Sequence, residues 1–448
     1  MVKLNKLNSI KMQGELSAIN LAYGTDFFEL NTKLPGLEFE VFLPDSPAAL
    51  PDAKANFNDA IENPLNSPSF LSVARDALSA SLAEGRKPKV VIAVADHTRP
   101  VPDRLLVPWL AEHLDLPDDC ITILIGTGTH RGSTLDEIDR MFGSAASRFN
   151  IVNHDCQSQE DLIFVGKSAC GGECWLNRHW VDADFRIATG FIEPHFYAGF
   201  SGGSKALIPG IAGLQTVRHF HRASLIDSPE VTWAKIEGNP LQALTREMAA
   251  LCPPHFVVNV TLNRDKDITG IFAGELIAVH NAGSKVSLEE ATVQASRRYP
   301  VVITTNSGYP LDQNFYQTVK GISAASRLVE KGGVILVLSK CNNGLPSEGE
   351  FASILSDFRD NDELYQFILE TKVTKHDQWQ VQTLLQCLAK AKIVMYSSLS
   401  PGDRLITRTD HTDDPIATLL EILAASPVGI LPVAVLPLGP LTIPVVAQ

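Results

Sequence analysis

The sequence predicts an α/β fold made of two α/β domains with mainly parallel sheets. Three observations carry that reading. Short apolar runs rich in β-branched residues recur from about residue 85 onward, stretches of helical periodicity lie between them, and Gly, Pro or Asp bounds their ends. Strands that alternate with helices pair in parallel, because a crossover of helical length brings the next strand back in the same direction.

In the first domain the predicted strands are Val90–Ala95, 121–125, 162–165, 185–189 and Phe256–Leu262. Between the second and third, Thr134-Leu135-Asp136-Glu137 reads as a capping box. There a Thr hydroxyl and a Glu carboxylate three residues on satisfy each other's backbone N–H, which opens a helix through Phe142 that stops at Gly143. The charged stretch 263–267 and a helical pattern over 275–296 separate this set from a second one. The second has strands at 301–305, 334–338 and 393–396, with helical patterns around 323–330 and 379–391. A first domain over 1–285 and a C-terminal α/β domain over 296–425 follow, with the boundary near 265–300. The apolar tail 428–448 approaches the length of a membrane span. Pro432, Pro437, Pro440 and Pro444 would each break or kink a helix there, so the tail reads as short buried or edge strands. The strands near 430–446 are free to return to the first domain.

Length and charge bound the function. A chain of 448 residues holds two large domains or three small ones. With 38 Lys and Arg against 51 Asp and Glu, the net charge of -13 repels phosphate backbones and anionic lipid, and no basic run offsets it locally. Nucleic acid and membrane are therefore excluded as partners. The cysteines, Cys120, Cys156, Cys170, Cys174, Cys252, Cys341 and Cys387, are odd in number and contain no CxxC pair, which fits reduced thiols. Residues 1–14 lack the apolar core of a signal peptide, and a soluble cytoplasmic protein is expected.

In open α/β sheets, ligands bind where loops leave the carboxyl ends of strands. The polar clusters sit at those places. Asp96-His97-Thr98-Arg99 follows the first strand and Gly126-Thr127-Gly128-Thr129-His130 the second. Gly190-Phe191-Ile192-Glu193-Pro194-His195 follows another and runs on to Ser201-Gly202-Gly203-Ser204-Lys205. The Ser201-Gly202-Gly203 turn before a predicted helix offers backbone N–H groups and a helix N-terminus, a seat for phosphate. Lys205 is then placed to pair with that phosphate, to bond covalently to a carbonyl-type cofactor, or simply to be solvated.

His130 and His195 are acid/base candidates, and two such groups facing each other would suit a racemase; a capping or core role fits each equally well. Arg99 suits a bidentate clamp on carboxylate or phosphate, or an ion pair that only pins its loop. On a helix, His219 and His221 point about 200° apart and cannot chelate one metal together. No HExxH, Cys/His quartet or Asp-rich loop is present to hold a metal by side chains alone. Cys170 and Cys174 read as a loose structural pair in a turn. In the second domain, Tyr316, Gln317 and Lys320 share one face of a helix and would complete an anion site across a cleft, or begin a solvated helix. Trp379 suits stacking on a planar ring or a place in the core.

Taken together, ADHTRPVP (95–102), GTGTHRGST (126–134), GFIEPHFYAGFSGGSKALIPGIAG (190–213), GYPLDQNFYQTVKG (308–321) and DQW (377–379) resemble the motifs of the nickel-pincer-nucleotide-dependent lactate racemase family, in its order. The similarity runs from about Leu21 to the C-terminus. It implies an isomerase, a racemase or epimerase of a small 2-hydroxy acid such as lactate, with its active site in the cleft between the two domains. The implied cofactor is the nickel-pincer nucleotide, a pyridinium-3-thioamide-5-thiocarboxylic acid mononucleotide joined to Lys205. Its nickel (Ni) would be bound by two sulfurs, a ring carbon and His221.

By the same resemblance His130 and His195 are the acid/base pair. Arg99 and Lys320 hold the substrate carboxylate, Tyr316 and Gln317 line the pocket, Asp96 and the Ser201, Gly202 and Gly203 turn bind the cofactor, and Trp379 packs against it. Transient contact with cofactor-biosynthesis proteins is implied as well. The Cα–H of a 2-hydroxy acid is too weakly acidic for a histidine to remove directly, so the implied route is hydride transfer with a histidine taking the hydroxyl proton, through a 2-keto acid. Two departures bear on substrate: 339–349 replaces a His- and Gly-rich stretch, and Ser204 stands where an arginine is common. The competing classes are a zinc-dependent hydrolase or lyase using His130, His195 and His221, and a non-catalytic protein that binds a nucleotide or hydroxy acid.

Overall fold

The computed structural model describes residues 9–11, 17–346 and 349–447. Most of the 1–14 reading lies outside the described residues, as do Ser347 and Glu348 of the 339–349 departure. The chain divides into two compact units: Ser46–Glu289, and Met1–Asp45 together with Glu290–Gln448.

The unit Ser46–Glu289 is built on a six-stranded sheet. From one edge its order is Ile268–Gly274, Phe256–Leu262, Phe185–Phe191, Val90–Ala95, Ile121–Gly126 and Asn150–Asn153. All neighbours are parallel except the Ile268–Gly274 edge. A parallel sheet is covered by crossover helices on both faces, so its strands read as continuous apolar runs. Val90–Ala95 is such a run, with its first five residues buried. The core beneath gathers Ile92, Ile123, Phe185 and Phe256 with Leu106 and Leu110 of the helix Asp103–Leu114. The capping box forms as read: Thr134 accepts from the Glu137 N–H, the Glu137 carboxylate accepts from the Thr134 N–H, and the helix Leu135–Phe142 ends at Gly143.

One strand is corrected. The 162–165 run extends over Leu162–Lys167 but pairs antiparallel with Glu173–Asn177 as a separate hairpin. The sheet strand in that part of the chain is Asn150–Asn153, whose short length and terminal asparagines hide it from a hydropathy pattern.

The other unit carries a seven-stranded sheet in the order Ser9–Lys11, Leu37–Phe42, Leu431–Leu436, Tyr299–Thr305, Val329–Leu338, Lys392–Tyr396 and Asp410–His411. Its strands are parallel apart from Ser9–Lys11. The expected first domain over 1–285 is therefore corrected at its start, because Leu37–Phe42 belongs to this second sheet. The placement of 430–446, left open by the sequence, falls in this unit: Leu431–Leu436 lies inside this sheet, between Leu37–Phe42 and Tyr299–Thr305. Pro432 is tolerated there because pairing with Tyr299–Thr305 begins only at Val433, so on that side the missing N–H removes no ladder bond.

Two helical expectations shift as well. The helix Leu276–Ala291 gives way to a strand, Thr292–Ala295, where β-branched Thr292 and Val293 pair with Ile443–Val446. The helix expected around 323–330 runs from Phe315 to Ser326, and Val329 already opens a strand.

Candidate active site

Phe185–Phe191, Val90–Ala95 and Ile121–Gly126 are parallel neighbours, so the loops that follow them leave one edge of the sheet side by side. Strand order reverses at this point. From Val90–Ala95 the chain adds strands outward to Asn150–Asn153, then places Phe185–Phe191 on the opposite side. Connections that diverge from such a reversal leave a crevice at the carboxyl ends. A cavity of about 140 Å³ is found there, lined by Asp96, Arg99, His130, Thr189, Ser201 and Lys205 among others. Residues as far apart in sequence as Asp96 and Lys205 thus face one space.

Asp96 is buried. Its Oδ2 lies 2.7 Å from His130 Nδ1, and its Oδ1 accepts from the Thr98 hydroxyl at 2.6 Å and the Thr98 N–H at 3.2 Å. Burial opposes ionisation of this carboxyl, but His130, Arg99 and Thr98 together outweigh it and hold it below the usual carboxylate range. A carboxylate can only accept. His130 Nδ1 therefore carries a hydrogen, and in the neutral ring the lone pair is on Nε2.

His195 is set the other way. It sits in the short hairpin Pro194–His195 with Gly199–Phe200, and its Nδ1 accepts the N–H groups of Tyr197 at 3.1 Å and Ala198 at 3.3 Å. A backbone N–H can only donate, so neutral His195 bears its hydrogen on Nε2. The two histidines thus rest in opposite tautomers, one with an accepting and one with a donating Nε2. Arg99 lies 3.9 Å through Nε from Glu193 Oε1, and its Nη1 reaches the Thr98 hydroxyl at 3.2 Å.

Lys205 is strongly altered by its surroundings. Burial, helped by the nearby Arg99 charge and opposed by Glu193, pulls its amine down to about 7. A neutral, nucleophilic amine is thereby available near neutral pH. It sits in the single 3-10 turn Gly203–Ala206. Close packing dictates the glycine that follows: a Cβ at Gly210 would stand 2.2 Å from the Ala206 carbonyl oxygen. Gly210 in turn accepts from the Gly128 N–H at 2.9 Å and ties the two loops together.

The turn before Lys205 corrects the expected phosphate seat. No helix of useful length follows it, and the Gly203 N–H is taken by Asn259 Oδ1 at 2.8 Å. Ser201 spends its N–H on the Glu193 carbonyl, while its hydroxyl accepts from the Glu193 N–H and lies 3.0 Å from the Phe191 carbonyl. Ser201 and Gly202 still line the cavity.

The two helix-end histidines separate as expected. His219 turns to the hairpin, 3.3 Å from the exposed Cys170, while Cys174 is buried; both cysteines are free thiols. His221 is buried, with its Nδ1 3.0 Å from the Val217 carbonyl. A carbonyl accepts, so Nδ1 is the donor and Nε2 the nitrogen suited to a metal. The Lys205 Nζ lies 6.0 Å from the centre of the Phe220 ring, which packs edge-on against His221 with 4.4 Å between ring centres. Neither His195 nor His221 lines the cavity itself. Among the described residues no three His, Cys, Asp or Glu side chains are placed to hold a metal ion, so the zinc site at His130, His195 and His221 lacks its ligand set.

Comparison with known proteins identifies the family. A family model for the lactate racemase N-terminal domain matches residues 23–234, and one for the lactate racemase C-terminal domain matches residues 294–411. The chain belongs to the lactate racemase family. It is 38% identical to a lactate racemase of Thermoanaerobacterium thermosaccharolyticum over 319 residues, 70% of this chain and 74% of that protein. A lactate racemase of Lactiplantibacillus plantarum is 36% identical over 367 residues, 81% of this chain and 84% of that one. The structure of the lactate racemase apoprotein from Thermoanaerobacterium thermosaccharolyticum matches with a TM-score of 0.83 at 30% identity, covering 96% of this chain and 100% of its own. The protein is thus an isomerase, a racemase acting on a small molecule.

In this lactate racemase family member the C-terminal motif residues lie together on two helices of their own unit. Tyr316, Gln317 and Lys320 are on Phe315–Ser326, and Trp379 on Gln378–Leu388 donates its indole N–H to the Tyr316 hydroxyl at 2.9 Å. Gln317 is buried, and its Oε1 has no hydrogen-bond partner, a lone acceptor available to a ligand's donor. The 316–320 stretch is therefore no solvated helix start. Sequence reading passed over Thr98, Glu193 and Asn259, which position Asp96, Arg99 and Gly203; the signal for the first two was their place inside the quoted motifs.

The buried amine has a stability consequence. From about pH 7 to 10.5 the unfolded chain binds a proton at Lys205 that the folded chain does not, so stability rises with pH across that window and the full penalty of burial is present below it. Lys205→Met is expected to be more stable than the wild-type apoprotein at pH 6 by a few kcal/mol, each tenfold loss of proton affinity on folding costing about 1.4 kcal/mol. The gap should close toward pH 10. Thermal melts of both proteins at the two pH values check this, and equal gaps at both would contradict it.

Proposed function

We propose that this racemase inverts C2 of a short 2-hydroxy acid, lactate or a near relative, with the nickel-pincer nucleotide attached to Lys205. The observation that carries the reading is the buried Lys205 amine, held to about 7, in one cavity with the Asp96–His130 pair and Arg99. The residues fit the group: a neutral amine suits acylation, and His221, with Nδ1 spent on the Val217 carbonyl, presents Nε2 as one nickel ligand. When bound, the group supplies an electron-poor ring that takes the C2 hydride and returns it to either face of a 2-keto acid.

The chain's own residues do the rest. Arg99 holds the substrate carboxylate, the fork of its guanidinium fixing which way C2 faces. His130 Nε2 takes the hydroxyl proton, while Asp96 keeps the ring oriented and stabilises the positive charge it gains. His195 serves the opposite face, where its Nε2–H is aimed to donate. The parts of Tyr316, Gln317, Lys320 and Trp379 in holding substrate and cofactor are proposed from their motifs and from the unpartnered Gln317 oxygen. A cytoplasmic location belongs to the same reading and is supported by the seven free thiols. No helix among the described residues is long and apolar enough to cross a membrane.

Racemisation of L-lactate by the loaded protein in D2O tests the chemistry. The product is expected to keep hydrogen at C2, because hydride returns to the carbon it left. Deuterium at C2 would show proton abstraction and contradict the reading; a chiral screen of other 2-hydroxy acids then fixes the substrate.

A further inference from the structure

The Asp96–His130 pair is bracketed by its neighbours in sequence. His97 follows Asp96 and Arg131 follows His130, and both side chains converge on Glu137 of the helix Leu135–Phe142. Arg131 grips that carboxylate with both ends of its guanidinium, Nη1 to Oε2 at 2.8 Å and Nη2 to Oε1 at 2.7 Å, and His97 Nε2 lies 3.4 Å from Oε1. Oε2 also accepts the Thr134 N–H at 2.8 Å. His97 Nδ1 lies 3.3 Å from the Ser133 hydroxyl, and Asn153 binds both the N–H and the carbonyl of Ser133, so the return of the loop is fixed as well.

A helix cap needs only one of these contacts. An N3 carboxylate satisfies the N-cap N–H by itself, and the bidentate Arg131 pair adds nothing to that task. What Arg131 and His97 add is a rigid link between the two loops that carry the dyad. The Arg131 hydrogen bonds hold the Glu137 carboxyl down at about 2, so the link is ionic across the working pH range.

We propose that Glu137 is a positioning residue for the racemase reaction, holding His130 on Asp96 through Arg131 and His97. The inference rests on the function proposed above for its effect on rate, but not for its effect on geometry. Misplacing a catalytic group by a fraction of an ångström to an ångström costs up to about a hundredfold in rate. In Glu137→Gln and Arg131→Met, kcat of the loaded enzyme is expected to fall by about ten- to a hundredfold while KM changes by less than about threefold.

The test with a readout independent of cofactor is the imidazole spectrum of the apoprotein. In the wild type the His130 Nδ1–H, bonded to Asp96, is expected to give a slowly exchanging downfield proton and a single tautomer by nitrogen-15 shifts. Glu137→Gln and Arg131→Met are expected to lose that proton and show mixed tautomers. Thr134→Ala, which weakens the cap and leaves the carboxylate cluster intact, is expected to lower Tm yet keep the signal. Arg131 is half exposed, so its variant folds even where Glu137→Gln does not. An unchanged signal in Arg131→Met overturns the proposal, and so does equal loss in Thr134→Ala, which would make Glu137 a cap alone. If the spectra behave as expected but the loaded wild type does not racemise, the function reading fails and the positioning role stands.

Discussion

His130→Ala is expected to lower kcat for racemisation by about 10²–10⁴-fold, the range over which a positioned acid/base acts. The structure makes this residue hard to replace. Its Nδ1 is committed to Asp96 at 2.7 Å, so Nε2 is the nitrogen left for substrate, and the buried carboxylate offsets the charge the ring acquires. Water in the space left by alanine would have neither orientation nor basicity. KM is expected to move little, since Arg99, on another loop, is the residue proposed to bind the carboxylate. His195→Ala is expected to cause a loss at least as large, because the proposed inversion needs a proton handled on each face. Steady-state rates from both enantiomers check the pair; wild-type turnover in either variant would remove that histidine from its role.

The second large effect is at Lys205. Lys205→Ala is expected to bring activity below detection, since the side chain is proposed to be the covalent anchor and not merely a contact. A charged, solvated lysine would be a poor nucleophile at neutral pH. Burial at the floor of the cavity is what brings the amine to about 7, and the stability given up in the apoprotein is the counterpart of that reactivity. Arginine at this position would stay charged and is expected to be equally inactive.

Much of this was legible in the chain, for identifiable reasons. Val90–Ala95 reads as an unbroken apolar run, and Phe256–Leu262 as a mainly apolar one despite Asn259 and Thr261, because both are largely buried; both have the bounds the structure gives. The Thr134–Glu137 box was visible because capping is local, satisfied within four residues. The sheet that takes Leu431–Leu436 was left open because sheet neighbours are set by the whole fold; its prolines suggested a buried or edge strand, and the one in the strand lies outside the pairing with Tyr299–Thr305. Asn150–Asn153 was missed because four residues with polar ends carry no period.

The site shows the same division. That several loops would meet followed from their place after strands, a topological argument that needs no distances. Which atoms meet did not follow. Asp96 and His130 are 34 residues apart, and nothing local says that the aspartate binds that histidine. The Ser201–Gly203 turn looked like a phosphate seat, but Asn259, from a different strand, takes the Gly203 N–H. Glu137 read as a cap because that contact lies within four residues; the Arg131 pair, six residues away, carries no capping signature, and the His97 contact exists only when two loops are folded together.

The central claim is that a cofactor is built onto Lys205, and its most direct test is intact-protein mass with nickel content, measured on protein co-expressed with the pincer-nucleotide biosynthetic enzymes. The account predicts a mass increase equal to one nucleotide adduct and near-stoichiometric nickel in the wild type, both absent from folded Lys205→Ala. A wild-type protein of unmodified mass without nickel, or an adduct that persists in Lys205→Ala, would contradict it.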